Sequence, residues 1–184
     1  MYYLMAVKNC FSKKWISYNF SRTCTAKDCV KPIEDAYAIR YRDSNLNNLV
    51  LRTDNGPQYI ARTFKDTARL LNIPHEYIEK QTPEDNGDIE SFHNSLKTDY
   101  IWLNDLESYE DAKELMEYAF NDYNNNTPHS SIGYLTPVEF EKQWNSNEEF
   151  RNKFLEERMK KEERRLRNRK INISRRNESV SIFH

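Results

Sequence analysis

The chain has 184 residues, 38% hydrophobic and 31% charged, with a formal net charge of −1. That is enough apolar material for one packed domain plus an extension. No run of 18 or more apolar residues occurs, which excludes an apolar membrane-spanning helix and leads to the expectation of a soluble, cytoplasmic protein. The near-neutral total conceals a split: residues 1–150 carry 16 Lys and Arg against 24 Asp and Glu, whereas residues 151–176 carry 12 against 4. An acidic body followed by a basic segment points to the segment as the source of affinity for a polyanion. Cys10, Cys24 and Cys29 are too few and wrongly spaced for a zinc ribbon or a disulfide framework and read as reduced thiols.

In chain order, residues 1–7 form an apolar strand and residues 15–20 alternate as a second one, with residues 10–14 turning between them into a hairpin. Thr25 followed by Asp28 marks a helix start, and Val30, Ile33, Tyr37 and Tyr41 are spaced for one face of a helix reaching Arg42. Pro32 inside it predicts a kink or a later start. Residues 48–53 are a short β-branched run closed by Asp54, Asn55, Gly56 and Pro57, which places Asp54 at a strand end. Ile60, Phe64, Ala68 and Leu71 predict a helix over 60–71, and residues 73–78 another strand. A loop through Gln81 and Pro83 then feeds a helix that carries Glu90 and runs to about residue 102. Helices over 108–123 and 136–144 follow, the latter with Pro137 in its first turn, and a charged helix covers 148–170.

Asp54 and Glu90 thus stand at a strand end and on a helix, with 35 residues between them. A pair of carboxylates so offered suits Mg²⁺, which takes oxygen ligands and is usually held by one or two carboxylates plus substrate phosphate. Taken alone, such residues are more commonly a turn Asp and a solvated Glu. The surrounding motifs add weight: TDNGPQY around Asp54, DNGDIESFHNSLK around Glu90, and YNNNTPHSSIGYLTPVEF over 123–140. Together they resemble the second and third members of the DDE triad in retroviral-integrase-like insertion-sequence transposases, over about residues 2–144.

The resemblance implies a ribonuclease-H-like α/β fold, a mixed sheet flanked by helices, with a catalytic core over 1–146; the charge pattern adds a basic helical extension and tail over 147–184. It implies DNA strand cleavage and transfer with two Mg²⁺ or Mn²⁺ ions, Asp54 and Glu90 serving as catalytic and metal-binding residues. In the family the sheet begins with a central strand bearing the first catalytic Asp. Here the chain starts at the strand that would follow it, and no Asp or Glu precedes Asp28. The expectation is an N-terminally truncated core, catalytically impaired by half-filled metal sites.

His93, Asn94 and Lys97 lie three, four and seven residues after Glu90 and share its helix face. The resemblance makes Lys97 a contact to the transposon end, and Asn94 and His93 join it as DNA-binding candidates. Asp88, beside Glu90, is a negative charge that relatives usually lack. Arg164, Arg165, Arg167, Arg169 and Lys170 form the basic surplus of the tail and are candidates for phosphate binding, although i,i+4 pairs such as Glu156 with Lys160 also suit a plain exposed helix. The expected partners are DNA, meaning transposon ends and target, and a second copy or an intact transposase. A non-catalytic DNA-binding or dimerising fragment is the alternative, and an inert product unable to close its sheet is a third reading.

Overall fold

The structure, a computed structural model, describes the backbone of residues 1–41, 49–78 and 83–180, and the side chains of these except 41, 83–86 and 169–180. The chain divides into two compact units, Met1–Val138 and Glu139–His184.

In the first unit, β1 (Tyr3–Lys8) and β2 (Trp15–Ser21) pair antiparallel, from Tyr3 opposite Ser21 to Val7 opposite Ser17, with an irregularity before Lys8. Strand alternation sorts β1 between two cores. Tyr3, Met5 and Val7 join Cys29, Ile33, Phe64 and Ile73, while Leu4 and Ala6 pack against Trp15, Phe92, Leu96, Met116 and Tyr123. A strand apolar on both faces is therefore covered by helices on both faces. The first core also holds α1 (Ala26–Tyr41), α3 (Arg62–Leu70) and β3 (Leu51–Thr53); the second holds α4 (Pro83–Asp99) and α5 (Tyr109–Asn125). β3 pairs in parallel with β4 (His75–Tyr77), so the described strands form two separate two-stranded sheets.

α1 starts where the Thr25 signal puts it. The Asp28 carboxylate accepts from the Thr25 backbone N–H at 2.8 Å and from the hydroxyls of Thr23 and Thr25 at 2.8 Å each. These donors, the Thr25 backbone first, hold the Asp28 carboxyl below its ordinary range. The expected late start at Pro32 does not occur. Proline withholds the N–H that would reach the Asp28 carbonyl four residues back, and Asn19 Nδ2 donates to that carbonyl at 3.0 Å instead. Residue 42, the expected helix end, lies outside the described residues.

The helix expected over 60–71 is two pieces. α2 (Pro57–Ile60) ends at Ala61, which is extended at φ −57° and ψ 145°, and α3 begins at Arg62. Ile60 is accordingly exposed, whereas Phe64 and Ala68 are buried. α4 stops at Asp99, and a 3-10 turn (Ile101–Leu103) follows it. α5 opens with a reciprocal Ser108–Asp111 capping box. Its last turn holds buried Asn124, whose side chain accepts from the Trp15 N–H at 3.0 Å and donates to the Trp15 carbonyl at 2.8 Å. The amide thus binds the start of β2 as a neighbouring peptide would.

α6 (Pro137–Ser146) has Pro137 in its first turn. In the second unit Phe140 is fully buried, with ring centroids 4.9 Å from Phe154, 5.8 Å from Phe150 and 5.9 Å from Trp144. Asn147 caps α7 (Glu148–Val180), accepting from the Phe150 N–H at 3.0 Å. No helix among the described residues is long and apolar enough to cross a membrane.

Candidate active site and nucleic-acid interface

Asp54 follows directly on β3, where the strand gives way to the turn into α2. Its Oδ1 accepts from the Gly56 N–H at 2.7 Å, closing a side-chain turn. The tightness of that turn explains Gly56. A Cβ there would lie 2.5 Å from Gln58 Nε2 and 2.9 Å from Asp54 Oδ1, so a larger residue would push the carboxylate or Gln58 aside. Asn55 Nδ2 donates to the Ile78 carbonyl at 2.7 Å and ties the loop to the chain after β4. Asp54 itself is exposed. Beneath the loop, Tyr59 is pushed up by burial first and also by the nearby Asp54 carboxylate, and it stays a neutral phenol.

Glu90 is exposed on α4, as are Asn94 and Lys97, one and two turns further along the same face. His93 is half-buried, tilted against Phe92 at 5.4 Å. Burial first, then Lys97 and Lys8, hold it below the usual histidine range, so it is a neutral ring at pH 7. Of the tail residues, Arg164, Arg165 and Arg167 are exposed on α7. Arg169 and Lys170 belong to that helix, but their side chains lie outside the described residues, as does that of Asp85 on α4.

The donor types of Asp54 and Glu90 fit a hard divalent cation, since both are carboxylates open to solvent. Their number is small. Among the described residues no group of three or more His, Cys, Asp or Glu side chains stands together as a metal site, and neither β1 nor β2 carries an acid. The cysteines are free, and buried Cys29 is pushed up to about 12 by burial first, so it remains a thiol.

A polar bridge beside Glu90 went unread in the sequence. Lys13 Nζ lies 2.7 Å from Asp88 Oδ1, and Lys8 Nζ donates to the Asp88 carbonyl at 3.3 Å. Lys8 also sits over the rings of Phe92 at 5.4 Å and Tyr123 at 5.9 Å. Burial chiefly, and then Lys13, lowers the Lys8 ammonium to about 8, against the opposing pull of Asp88 and Cys10. Next to Tyr123 lies His129, ring centroids 4.7 Å apart, with its Nε2 buried and unpartnered among the described residues. The unusual charge of Asp88 was the only signal of this arrangement. Within the YNNN motif, Tyr123 packs in the core and Asn124 holds β2.

Residues 71–137 match the model of the integrase core domain family. Over 91 residues the chain is 36% identical to the putative transposase InsD of insertion element IS2E from Escherichia coli K12, covering 50% of this chain and 42% of that protein. The same identity and length relate it to the InsD transposase of the IS2A/D/F/H/I/K elements of Escherichia coli, of which 30% is covered. The match therefore spans less than half of these relatives. Among solved structures, the fold resembles a protein of the simian T-cell lymphotropic virus intasome in complex with the PP2A regulatory subunit B56 gamma. That likeness has a TM-score of 0.60 at 21% identity, over 76% of this chain and 48% of the other. It also resembles the HTLV-2 integrase catalytic core domain in complex with magnesium, with a TM-score of 0.56 at 16% identity, over 76% and 83%. At such identities the likeness speaks for the fold, which is that of ribonuclease-H-like integrase cores. Over residues 71–137 the chain is thus similar to the integrase core domain, and over 91 residues it is similar to insertion-sequence transposases.

Proposed function

We propose that the chain acts on DNA in transposition or integration, as the catalytic core of a transposase that cleaves and joins strands with Mg²⁺ or Mn²⁺. The observation that supports this best is the placing of Asp54 at the end of β3 and Glu90 on α4, both exposed, within an integrase-core fold. Asp54 and Glu90 would hold the metal, whose chemistry at such a site is to activate an attacking hydroxyl and offset charge building on the phosphate. The protein's own work is to hold the carboxylates in place, by the Asp54–Gly56 turn and the packing of α4 through Phe92 and Leu96. Lys97, Asn94 and His93 contact the DNA end beside the carboxylates, and the basic residues of α7, Arg164, Arg165, Arg167, Arg169 and Lys170, add phosphate contacts. The setting is cytoplasmic and the working form an oligomer or a pairing with an intact transposase; the HTLV-2 integrase core has been solved in dimeric and trimeric forms.

A second reading, a DNA-binding or dimerising module without catalysis of its own, is favoured by the lack of any Asp or Glu on β1 and β2. Strand nicking and gel retardation on one double-stranded oligonucleotide, with and without Mn²⁺, separate the readings. Mn²⁺-dependent nicking that disappears in Asp54→Asn and in Glu90→Gln is the expected outcome for the core. Salt-sensitive binding without nicking, unchanged by Mn²⁺ and by either substitution, would put the second reading in its place.

A further inference from the structure

From the bridge between the hairpin turn and α4 we infer that Asp88, held by Lys13, is a positioning residue that sets the carboxylate of Glu90. The inference rests on Glu90 being a metal ligand as proposed above. The turn over residues 9–14 is a built structure rather than a slack connection. Asn9 Oδ1 accepts from the N–H groups of Phe11 at 2.8 Å and Ser12 at 3.1 Å, and the Asn9 N–H reaches the Lys14 carbonyl at 2.8 Å. Lys13 adopts φ 63°, a left-handed conformation that a non-glycine residue takes at some expense. Its side chain is only 14% exposed and ends 2.7 Å from Asp88 Oδ1. A strained backbone supporting a largely covered cation on one carboxylate marks a contact the fold is arranged to make.

Helical geometry says what that contact controls. Residues two apart on an α-helix point about 200° apart around its axis. Asp88 therefore meets the hairpin while Glu90 faces the other way, to solvent. Lys13 fixes the rotation of this turn of α4 through its ion pair with Asp88. One turn on, Phe92 is buried under Lys8, whose ammonium also reaches the Asp88 carbonyl, so the same helix face is gripped at two levels. The negative charge beside Glu90 is thus answered by Lys13 and does not act as a rival ligand.

The test measures Mn²⁺ binding to the full chain by electron paramagnetic resonance in the presence of a double-stranded DNA oligonucleotide. Wild type is compared with Glu90→Gln, Lys13→Met, Asp88→Asn, Lys13→Arg and the exchanged pair Lys13→Asp with Asp88→Lys. Lys13→Met and Asp88→Asn should each weaken Mn²⁺ binding about tenfold. Lys13→Arg and the exchanged pair should restore most of it, which a merely structural loss would not do. Amide exchange across residues 88–92 should quicken in Lys13→Met and leave α5 unchanged, reporting the clamp without reference to metal. Near-normal Mn²⁺ affinity in Lys13→Met and Asp88→Asn, with binding lost in Glu90→Gln, would overturn the positioning role and leave the metal site standing. Unaltered Mn²⁺ binding in Glu90→Gln would overturn both.

Discussion

At the scale of single residues, Lys8 is the ammonium that the fold treats least kindly. Its pKa near 8 lies below the value of about 10.4 in an unfolded chain, so the unfolded state binds more protons between these limits. Stability contributed through this group therefore rises as pH climbs through 8 and is withheld below it. Lys8→Met keeps the stem over Phe92 and Tyr123 and removes the charge, forgoing one long hydrogen bond and a ring contact. The variant should be more stable than wild type by about 1–2 kcal/mol at pH 7, and the gap should narrow toward pH 9.5, as read from urea unfolding at the two values. A variant destabilised equally at both pH values would mean that the ring and carbonyl contacts outweigh burial. Position 8 also illustrates what the sequence could not convey. Asp54 and Glu90 were legible from a strand end, a helix start and quoted motifs, because those are local signals. The joining of Lys8 and Lys13 to Asp88 is not local: it spans 75 to 80 positions, and nothing in the spacing of either segment anticipates the other.

Among elements, the parts that follow period and capping were readable and the joins between them were not. The hairpin, α1 from its Thr25–Asp28 signal and α5 from Ser108 stand within a few residues of expectation, since each rests on hydrogen bonds between near neighbours. The split at Ala61 was hidden because Ile60 continues the apolar period of Phe64 and Ala68, yet it points outward on a separate short helix. The late start allowed for at Pro32 does not occur for a similar reason: the lost hydrogen bond is made good by Asn19 from another element. Asn124 is the clearest case of such long-range support. Asn124→Ala would leave both the N–H and the carbonyl of fully buried Trp15 unpaired, and each buried orphan costs about 1–3 kcal/mol. We expect a loss of about 2–4 kcal/mol in chemical denaturation. Asn125→Ala, whose Nδ2 donates to the Asn121 carbonyl on an exposed surface, should change stability by less than about 0.5 kcal/mol. Equal losses at the two positions would mean that the α5 end as a whole, rather than the Trp15 bridge, is what matters.

For the whole molecule, the division of charge between an acidic body and a basic tail gives the proposed DNA binding a distinctive salt dependence. Each phosphate neutralised on duplex DNA releases counterions and contributes about −0.9 to the slope of log affinity against log salt. Arg164, Arg165 and Arg167 stand exposed on α7, and Glu156 and Lys160 on the same helix close on each other at 2.6 Å. The two charges of that pair sum to zero locally, and as a fully exposed pair it adds little to stability. Replacing the three arginines by glutamine should therefore flatten the salt slope by about 2–3 and weaken binding at every DNA sequence alike, whereas Lys160→Gln should leave the slope nearly unchanged. Lys97→Gln is the discriminating companion. Beside Glu90 it should lower the slope by only about 1, and its effect on affinity should depend on the DNA end presented, because a contact at the chemical site sees the end and the tail sees only charge. An unchanged slope in the triple variant would assign α7 to solvent and leave the Glu90 face to carry DNA binding by itself, a face whose acids oppose the phosphate wherever metal is not bound.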